Sequence, residues 1–159
     1  MGRIARRLGM NQDEWRICGL LHDLDREMIH GDMSKHGLVA AQLLDNFLPR
    51  NCLQAIRAHD HRTGVSPRSL MDKALIAADS VMAFLSELEG RERVSRLGEL
   101  DSNSFQIVFE DKAFRKLRYL KSRIEICREI GISLDEFLSY ARESFQMGEL
   151  RRAGRDGAR

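Results

Sequence analysis

Apolar residues recur at intervals of three and four along most of this chain, and proline interrupts the pattern at only two positions. Pro49 and Pro67 both lie in segments with the composition of loops. Because a proline inside a helix removes a backbone hydrogen bond, the long proline-free stretches are the ones free to be helical. We find no persuasive alternation of apolar and polar residues typical of a half-buried strand. The sequence therefore predicts an all-α fold, a compact helical bundle.

Side chains that can cap helices mark where several of these helices begin. Asn11 with Glu14 predicts the start of a helix through Leu24, and Ser34 is a candidate cap for a helix that ends near Pro49. Further helices are expected from residue 51 to 59 or 61, from residue 67 or 69 to 88, within residues 105–131, and from Ser133 onward. The polar composition of residues 90–103 predicts a connection between helices.

Length predicts one domain, and the net charge argues against a dedicated nucleic-acid-binding protein. A chain of 159 residues suits a single core, which we place in residues 1–150. Residues 151–159 carry four Arg and one Asp and read as a basic flexible tail, with contact to phosphate or RNA as the alternative. The formal net charge of +2 gives no global basic field, so nucleic acid is not an expected partner.

The cysteines and the hydropathy pattern bear on where the protein works. Cys18, Cys52 and Cys127 are odd in number and far apart, and we interpret them as reduced thiols, with Cys18 and Cys127 in apolar helical patterns. No stretch reaches the roughly 18 apolar residues that a membrane span requires. We therefore expect a cytoplasmic protein without a membrane partner.

Three polar residues occupy positions where helical spacing predicts apolar side chains. They are His36, His59 and Asp79, on three separate predicted helices. Their apolar companions at helical spacing are Val39, Ala40, Leu43 and Leu44 for His36, Leu53 and Ile56 for His59, and Leu75, Ile76, Met82 and Ala83 for Asp79. An unpartnered carboxylate in apolar surroundings costs several kcal/mol, and a metal ion shared by imidazoles and carboxylates would remove that cost.

A fourth polar feature is the adjacent pair His22 and Asp23, which closes the apolar run at residues 17–21. Neighbouring residues on a helix point about 100° apart, so their side chains converge only on something between those directions just off the helix surface. A metal ion fits that geometry, and a polar helix end is the alternative.

The other candidate ligands also have plainer interpretations. His36 and His59 can be core histidines bonded to backbone carbonyls, and Asp79 can form a buried salt bridge to Arg57 or Lys73. The sequence leaves these alternatives open.

Basic residues near the candidate ligands suggest a way to hold phosphate. Lys35 and Arg62 can pair with phosphate oxygens, although a solvated helix face would carry the same residues. Asp60 is a candidate proton carrier.

The same residues fall in blocks that resemble the HD superfamily of metal-dependent phosphohydrolases. The likeness rests on the order and spacing of these blocks, and a bacterial subgroup of predicted HD hydrolases extends it to about Met147. The blocks are Gly19–Asp25, Lys35–Gly37 with Ala40 and Ala41, Ala55–His59, Ala74–Asp79, Glu110–Phe114 and Gly131–Phe137.

The resemblance implies a fold and a set of roles. It implies an all-α bundle of the HD-domain type, in which His22, Asp23 and Asp79 match the core metal ligands. His36 and His59 match extra histidines of members with two metals, where Asp23 would bridge and a bridging water would become the hydroxide that attacks phosphorus. Nitrogen and oxygen ligands suit Mn, Fe, Co, Ni or Mg, as one ion or two.

One family feature has no counterpart here. The first ligand of the family is a histidine in the helix before the His-Asp doublet, and its position would fall upstream of Met1. Either the natural reading frame begins earlier or the protein lacks that ligand. In the second case Asp23, His36 and His59 would still hold one ion with water.

These observations lead to one hypothesis and two alternatives. The first is a divalent-metal-dependent phosphohydrolase acting on a small phosphorylated metabolite or nucleotide, with Asp23 and Asp60 catalytic and Lys35 and Arg62 binding substrate. The second is a non-catalytic HD-like helical module that binds a nucleotide or a protein partner. The third, an RNA-associated domain, requires strongly salt-dependent binding. A homodimer through the C-terminal helices is compatible with all three.

Overall fold

The computed structural model describes residues 1–89 and 101–156, and within them every regular element is helical. The all-α prediction is confirmed. The chain falls into two compact units, Met1–Ala77 and Ala78–Arg159. No helix in the described ranges combines the length and the apolar character that crossing a bilayer requires. The assignment of residues 1–150 to one domain stays a prediction.

The first unit contains four short α-helices and the start of a fifth. These are α1 (Gly2–Arg7), α2 (Gln12–Leu21), α3 (Leu38–Leu43), α4 (Arg50–Ala58) and α5 (Leu70–Glu89), with 3₁₀ turns at Met33–Lys35 and His61–Thr63. Helix α2 packs against α1 and α4, and α3 packs against α4. The two 3₁₀ turns also contact each other. Helix α4 is therefore the element on which both α2 and α3 rest.

Small residues allow α3 and α4 to approach closely. Ala40 and Ala41 on α3 and Ala55 and Ala58 on α4 are all buried. Because a methyl side chain adds little bulk, such residues allow the two backbones to approach each other, and the Ile56 carbonyl of α4 lies against Gly37 just before α3. This packing brings the segment before α3 next to the end of α4.

The second unit is built around aromatic side chains. Beyond α5 it contains α6 (Ser102–Glu110), α7 (Arg118–Glu125) and α8 (Leu134–Asp156), with 3₁₀ segments at Lys112–Leu117 and Ile126–Ile130. Phe84, Phe105 and Phe109 form a cluster with ring centroids 4.7 to 5.4 Å apart. These distances are typical of interacting aromatic pairs in a core.

Several helix boundaries agree with the sequence and others differ. The Asn11 side chain accepts hydrogen bonds from the Asp13 and Glu14 amides, which confirms it as the cap of α2. Ser34 as a helix cap was wrong, because its hydroxyl bonds Asp32 inside the 3₁₀ turn and α3 begins only at Leu38.

Three further predictions concern the polar connection, the C-terminal end of the chain and the cysteines. Residues 90–100, most of the predicted polar connection, lie outside the described residues. Helix α8 extends to Asp156, so the backbone of residues 151–156 is helical, and the basic flexible tail over residues 151–159 stays a prediction. Cys18 and Cys127 are buried free thiols, as predicted, and Cys52 is also free and buried.

The start of α3 depends on a glycine. Gly37 precedes the helix with φ of 81°, in the left-handed region that glycine adopts at little cost. A Cβ atom at this position would overlap the Ile56 carbonyl oxygen and would lie 3.0 Å from Cε1 of His59. The backbone carbonyl cannot move aside without distorting α4. Glycine is therefore required here for two separate reasons.

Replacing Gly37 with alanine tests this requirement against a matched control. Gly31 has φ of 84° and no heavy atom within 4 Å of the point where a Cβ would lie, so Gly31→Ala carries only the backbone cost of about 1–2 kcal/mol. We expect Gly37→Ala to lower the free energy of unfolding by at least about 1 kcal/mol more than Gly31→Ala, because of the contact with Ile56. Urea unfolding measures both. Equal losses would contradict the close approach of α3 and α4.

Candidate metal centre

The histidine of the doublet sits where α2 ends. His22 is the C-cap residue of α2, and its Nδ1 lies 2.7 Å from the Gly19 carbonyl oxygen. The last carbonyls of a helix have no partner within the helix, so a side-chain donor satisfies one of them. A carbonyl oxygen can only accept, so His22 Nδ1 carries the proton and Nε2 presents its lone pair.

His59 repeats this arrangement at the end of α4. It is the C-cap residue of that helix, and its Nδ1 donates to the Ile56 carbonyl oxygen at 2.7 Å. The bond again spans three residues and again fixes the proton on Nδ1. The ring is 1% exposed. Two helix ends therefore aim an imidazole Nε2 in the same way.

His36 is held by a carboxylate instead of a carbonyl. It lies between the 3₁₀ turn and Gly37, is buried, and its Nδ1 lies 2.8 Å from Oδ1 of the buried Asp25. The carboxylate accepts the Nδ1 proton, so Nε2 of His36 also faces away from its anchoring partner.

The three imidazoles converge on one oxygen of Asp23. Its Oδ1 lies 3.5 Å from Nε2 of His22, 3.0 Å from Nε2 of His36 and 3.9 Å from Nε2 of His59. The Nε2 atoms of His36 and His59 are 3.1 Å apart. The structure therefore brings four of the five residues proposed as metal ligands together, from three separate segments of the first unit.

The donor set fits a divalent ion. Two ligand atoms about 2.1 Å from one ion and at right angles to each other are about 3.0 Å apart, which matches the separations of His36 Nε2 from Asp23 Oδ1 and from His59 Nε2. His22, Asp23 and His59 also each offer a ligand atom within 4.8 Å of the others. Imidazole nitrogens and a carboxylate without thiolate suit the first-row divalent metals.

Charge within the centre changes two pKa values. Burial raises the pKa of Asp23, but the hydrogen bond from His36 and the charges of His22 and Arg26 outweigh it and hold that pKa well below the ordinary 3.8. The hydrogen bond to Asp23 raises the pKa of His36 above its ordinary 6.5 against the effect of burial, and Asp25 adds to the rise. Without metal, His36 therefore retains a proton to higher pH than an ordinary histidine.

Asp79, the fifth proposed ligand, lies in the part of α5 that belongs to the second unit. Its side chain is half-buried. Its role as a ligand stays a prediction.

The remaining predicted site residues form ion pairs of their own. Both oxygens of the buried Asp60 accept hydrogen bonds from Arg62. Burial raises the pKa of Asp60, but these bonds outweigh it and leave the pKa at about 2. Such a carboxylate is a poor proton acceptor at neutral pH. Lys35 pairs with Asp32 at 2.9 Å and is largely exposed.

Two residues of the centre received no role from the sequence. Asp25 bonds His36, and Arg26 places its Nη1 3.2 Å from Oδ2 of Asp23. Helical periodicity gives no signal for Asp25, because its partners lie 11 to 15 residues further along the chain. Arg26 could have been found from its position three residues after Asp23, the spacing of neighbours on a helical turn.

Comparison with known proteins gives one family and two curated relatives. The family model described as "HD domain" matches residues 1–83, more than half of the chain. A ribonuclease Y of Oleidesulfovibrio alaskensis is 25% identical over 160 residues, covering 87% of this chain and 30% of the relative. A ribonuclease Y of Geobacter sulfurreducens is 28% identical over 147 residues, covering 84% and 27%. The chain thus spans less than a third of these relatives, and no solved structure gives a significant match.

The raised pKa of His36 predicts how metal binding depends on pH. Because the proton on His36 must leave before Nε2 can bind an ion, Mn²⁺ binding should release protons at neutral pH and release fewer as pH rises through that pKa. Apparent affinity should rise over the same range. Calorimetry in buffers of different ionisation enthalpy, between about pH 6 and 9, counts the protons.

The control for this measurement is an exposed histidine outside the converging group. His61 is 69% exposed, so His61→Asn should leave the number of released protons and its pH dependence unchanged. Proton release that stays constant across the whole range would contradict a proton held by His36.

Proposed function

The chain belongs to the HD domain family, and from that membership we propose that it is a divalent-metal-dependent phosphohydrolase acting on a small phosphorylated metabolite or nucleotide. The observation that carries the proposal is the approach of three imidazole Nε2 atoms to one oxygen of Asp23. A divalent ion held by such a group polarises phosphoryl oxygens and lowers the pKa of water. Asp23 contributes the negative charge that holds the ion, and His36 and His59 contribute neutral donors.

The exposure of the ligands indicates from which side a substrate would approach. His36 and His59 are buried, whereas the Asp23 side chain is 36% exposed. A phosphate would therefore reach the centre past Asp23. Arg26 lies on this side, with its guanidinium at Oδ2 of Asp23 and most of its surface in solvent.

Arg26 joins Lys35 and Arg62 as a proposed phosphate-binding residue. Arg62 is engaged by both oxygens of Asp60, and Lys35 by Asp32. The carboxylate partner of Arg26 is the proposed metal ligand itself, so a phosphate bound at the ion would lie within reach of the same guanidinium. This position favours Arg26 as the first contact of the substrate.

The relatives add one class of candidate substrate, and three predictions from the sequence stay open. Because the curated relatives are named ribonucleases, RNA phosphodiesters belong among the candidate substrates as a proposal. A role for Asp79 as a ligand, a cytoplasmic location and a homodimer also stay proposals.

The principal test compares metal-dependent hydrolysis in wild type and Asp23→Ala. Purified protein loaded with Mn²⁺ would be assayed on phosphomonoesters, phosphodiesters, nucleotides and a short RNA. We expect Asp23→Ala to lose more than about 100-fold in rate, since even outer-shell substitutions at metal sites cost 10- to 100-fold. Asp13→Ala removes an exposed carboxylate on α2 and should retain full activity.

Three outcomes separate the candidate functions. Equal rates for wild type and Asp23→Ala would reject the hydrolase. Stoichiometric metal without turnover of any substrate would favour the non-catalytic module that binds a nucleotide or a protein. Activity confined to RNA would replace the small substrate with a nucleic acid.

A second prediction concerns Arg26. Arg26→Gln should lower kcat/KM about 10- to 100-fold, because it removes a charge-assisted hydrogen bond to phosphate. Arg16, near the start of α2, likewise pairs with the aspartate three residues before it, Asp13. Arg16→Gln is therefore the matched control, and we expect it to change kcat/KM by less than about twofold. Mn²⁺ affinity measured for each variant separates substrate binding from metal binding. An unchanged kcat/KM for Arg26→Gln would contradict the assignment.

A further inference from the structure

We propose that Asp25 is a positioning residue for the metal centre, which sets the affinity for the divalent ion by fixing the tautomer of His36 and anchoring it to the start of α3. The inference rests on the proposed metal-dependent function. It concerns a residue that does not itself reach the converging Nε2 atoms. Its carboxylate acts through His36.

The two oxygens of Asp25 have different partners. Oδ1 accepts the proton of His36 Nδ1 at 2.8 Å. Oδ2 accepts the backbone amides of Gly37 at 2.7 Å and of Ala40 at 2.9 Å. The residue is 0% exposed. One buried carboxylate therefore joins a proposed metal ligand to the first turn of the helix that follows it.

Burial of this charge is compatible with stability because its surroundings supply donors. Three N–H groups point at the two oxygens, and the first turn of α3 presents the positive end of its backbone dipoles. The left-handed turn at Gly37 allows the His36 ring and both amides to face Asp25 together. The left-handed backbone conformation of Gly37 therefore also supports the hydrogen bonds that Asp25 accepts.

The acceptor distinguishes His36 from the other two histidines. Nδ1 of His22 and of His59 faces a backbone carbonyl, whereas Nδ1 of His36 faces a carboxylate. A carboxylate that accepts the Nδ1 proton increases the basicity of Nε2 and fixes the ring orientation. His36 is therefore the strongest imidazole donor of the three, and Asp25 is the reason.

Substituting asparagine for Asp25 changes this tautomer in a definite direction. The amides of Gly37 and Ala40 require an oxygen acceptor, so the side-chain carbonyl of the asparagine would turn toward them. Its NH₂ group would then face Nδ1 of His36. To accept that hydrogen bond, Nδ1 must lose its proton, and the proton moves to Nε2, where it blocks metal binding.

Asp72 provides a matched control for the structural part of the substitution. It is also 0% exposed and caps the start of α5, accepting from the amides of Arg68 and Ser69 and from the Ser69 hydroxyl. None of these partners is a histidine. Asp72→Asn should therefore disturb a buried cap of the same kind without touching a proposed ligand.

The experiment measures Mn²⁺ affinity by chelator competition for wild type, Asp25→Asn and Asp72→Asn. We expect Asp25→Asn to weaken binding about 10- to 100-fold and Asp72→Asn to change it less than about twofold, even where both lose thermal stability. Equal weakening in the two variants, or an unchanged affinity in Asp25→Asn, would overturn the role of Asp25. Failure of wild type to bind Mn²⁺ would instead reject the proposed metal-dependent function.

A second measurement needs only metal-free wild-type protein, so it remains decisive even if the variant does not fold. Nitrogen NMR of metal-free wild type at alkaline pH should show His36 as the Nδ1–H tautomer, with its Nδ1 proton further downfield than those of His22 and His59. Where Asp25→Asn folds, its His36 should show the Nε2–H form. A wild-type His36 protonated on Nε2 would overturn the inference whatever the metal affinities are.

Discussion

The approach of three imidazole nitrogens to one carboxylate oxygen is the constraint on which the first unit depends. Each ring donates Nδ1 to an acceptor of its own, so the three lone pairs on Nε2 face the same small region beside Asp23. Lone pairs brought together in this way repel one another unless a proton or a cation lies between them. The hydrogen bond to Asp23, and then that to Asp25, raise the pKa of His36, so in the absence of metal this ring keeps a proton to higher pH than an ordinary histidine does.

Two of the three imidazoles are positioned by local hydrogen bonds at the ends of helices. His22 and His59 are each the residue at which a helix stops, and each bonds the carbonyl three residues before it. A backbone carbonyl in the last turn of a helix has no partner within the helix, and here it holds the ring of a proposed metal ligand in place. His36 precedes a helix instead, and its anchor comes from Asp25. Packing of both α2 and α3 on α4, with Gly37 close to the Ile56 carbonyl, brings the three anchors together.

The sequence predicted the fold and much of the centre, for identifiable reasons. Helical spacing of apolar residues does not depend on distant partners, so the all-α architecture and the cap at Asn11 could be predicted. Helical spacing from apolar residues drew attention to His36 and His59, although the helical placement of His36 was wrong, because α3 begins only at Leu38. Ser34 was wrongly predicted to cap α3. The amides of Gly37 and Ala40 at the start of this helix donate instead to Asp25, which comes from a separate segment of the chain. The ion pair of Asp60 with Arg62 forms in a turn, where periodicity carries no information.

The most direct test of the converging group is anomalous diffraction at the manganese absorption edge, from crystals grown with Mn²⁺. We expect an ion within about 2.0–2.3 Å of Asp23 Oδ1 and of Nε2 of His36 and His59. An ion found elsewhere, coordination through Nδ1, or no anomalous peak at these side chains would contradict a centre built on their convergence.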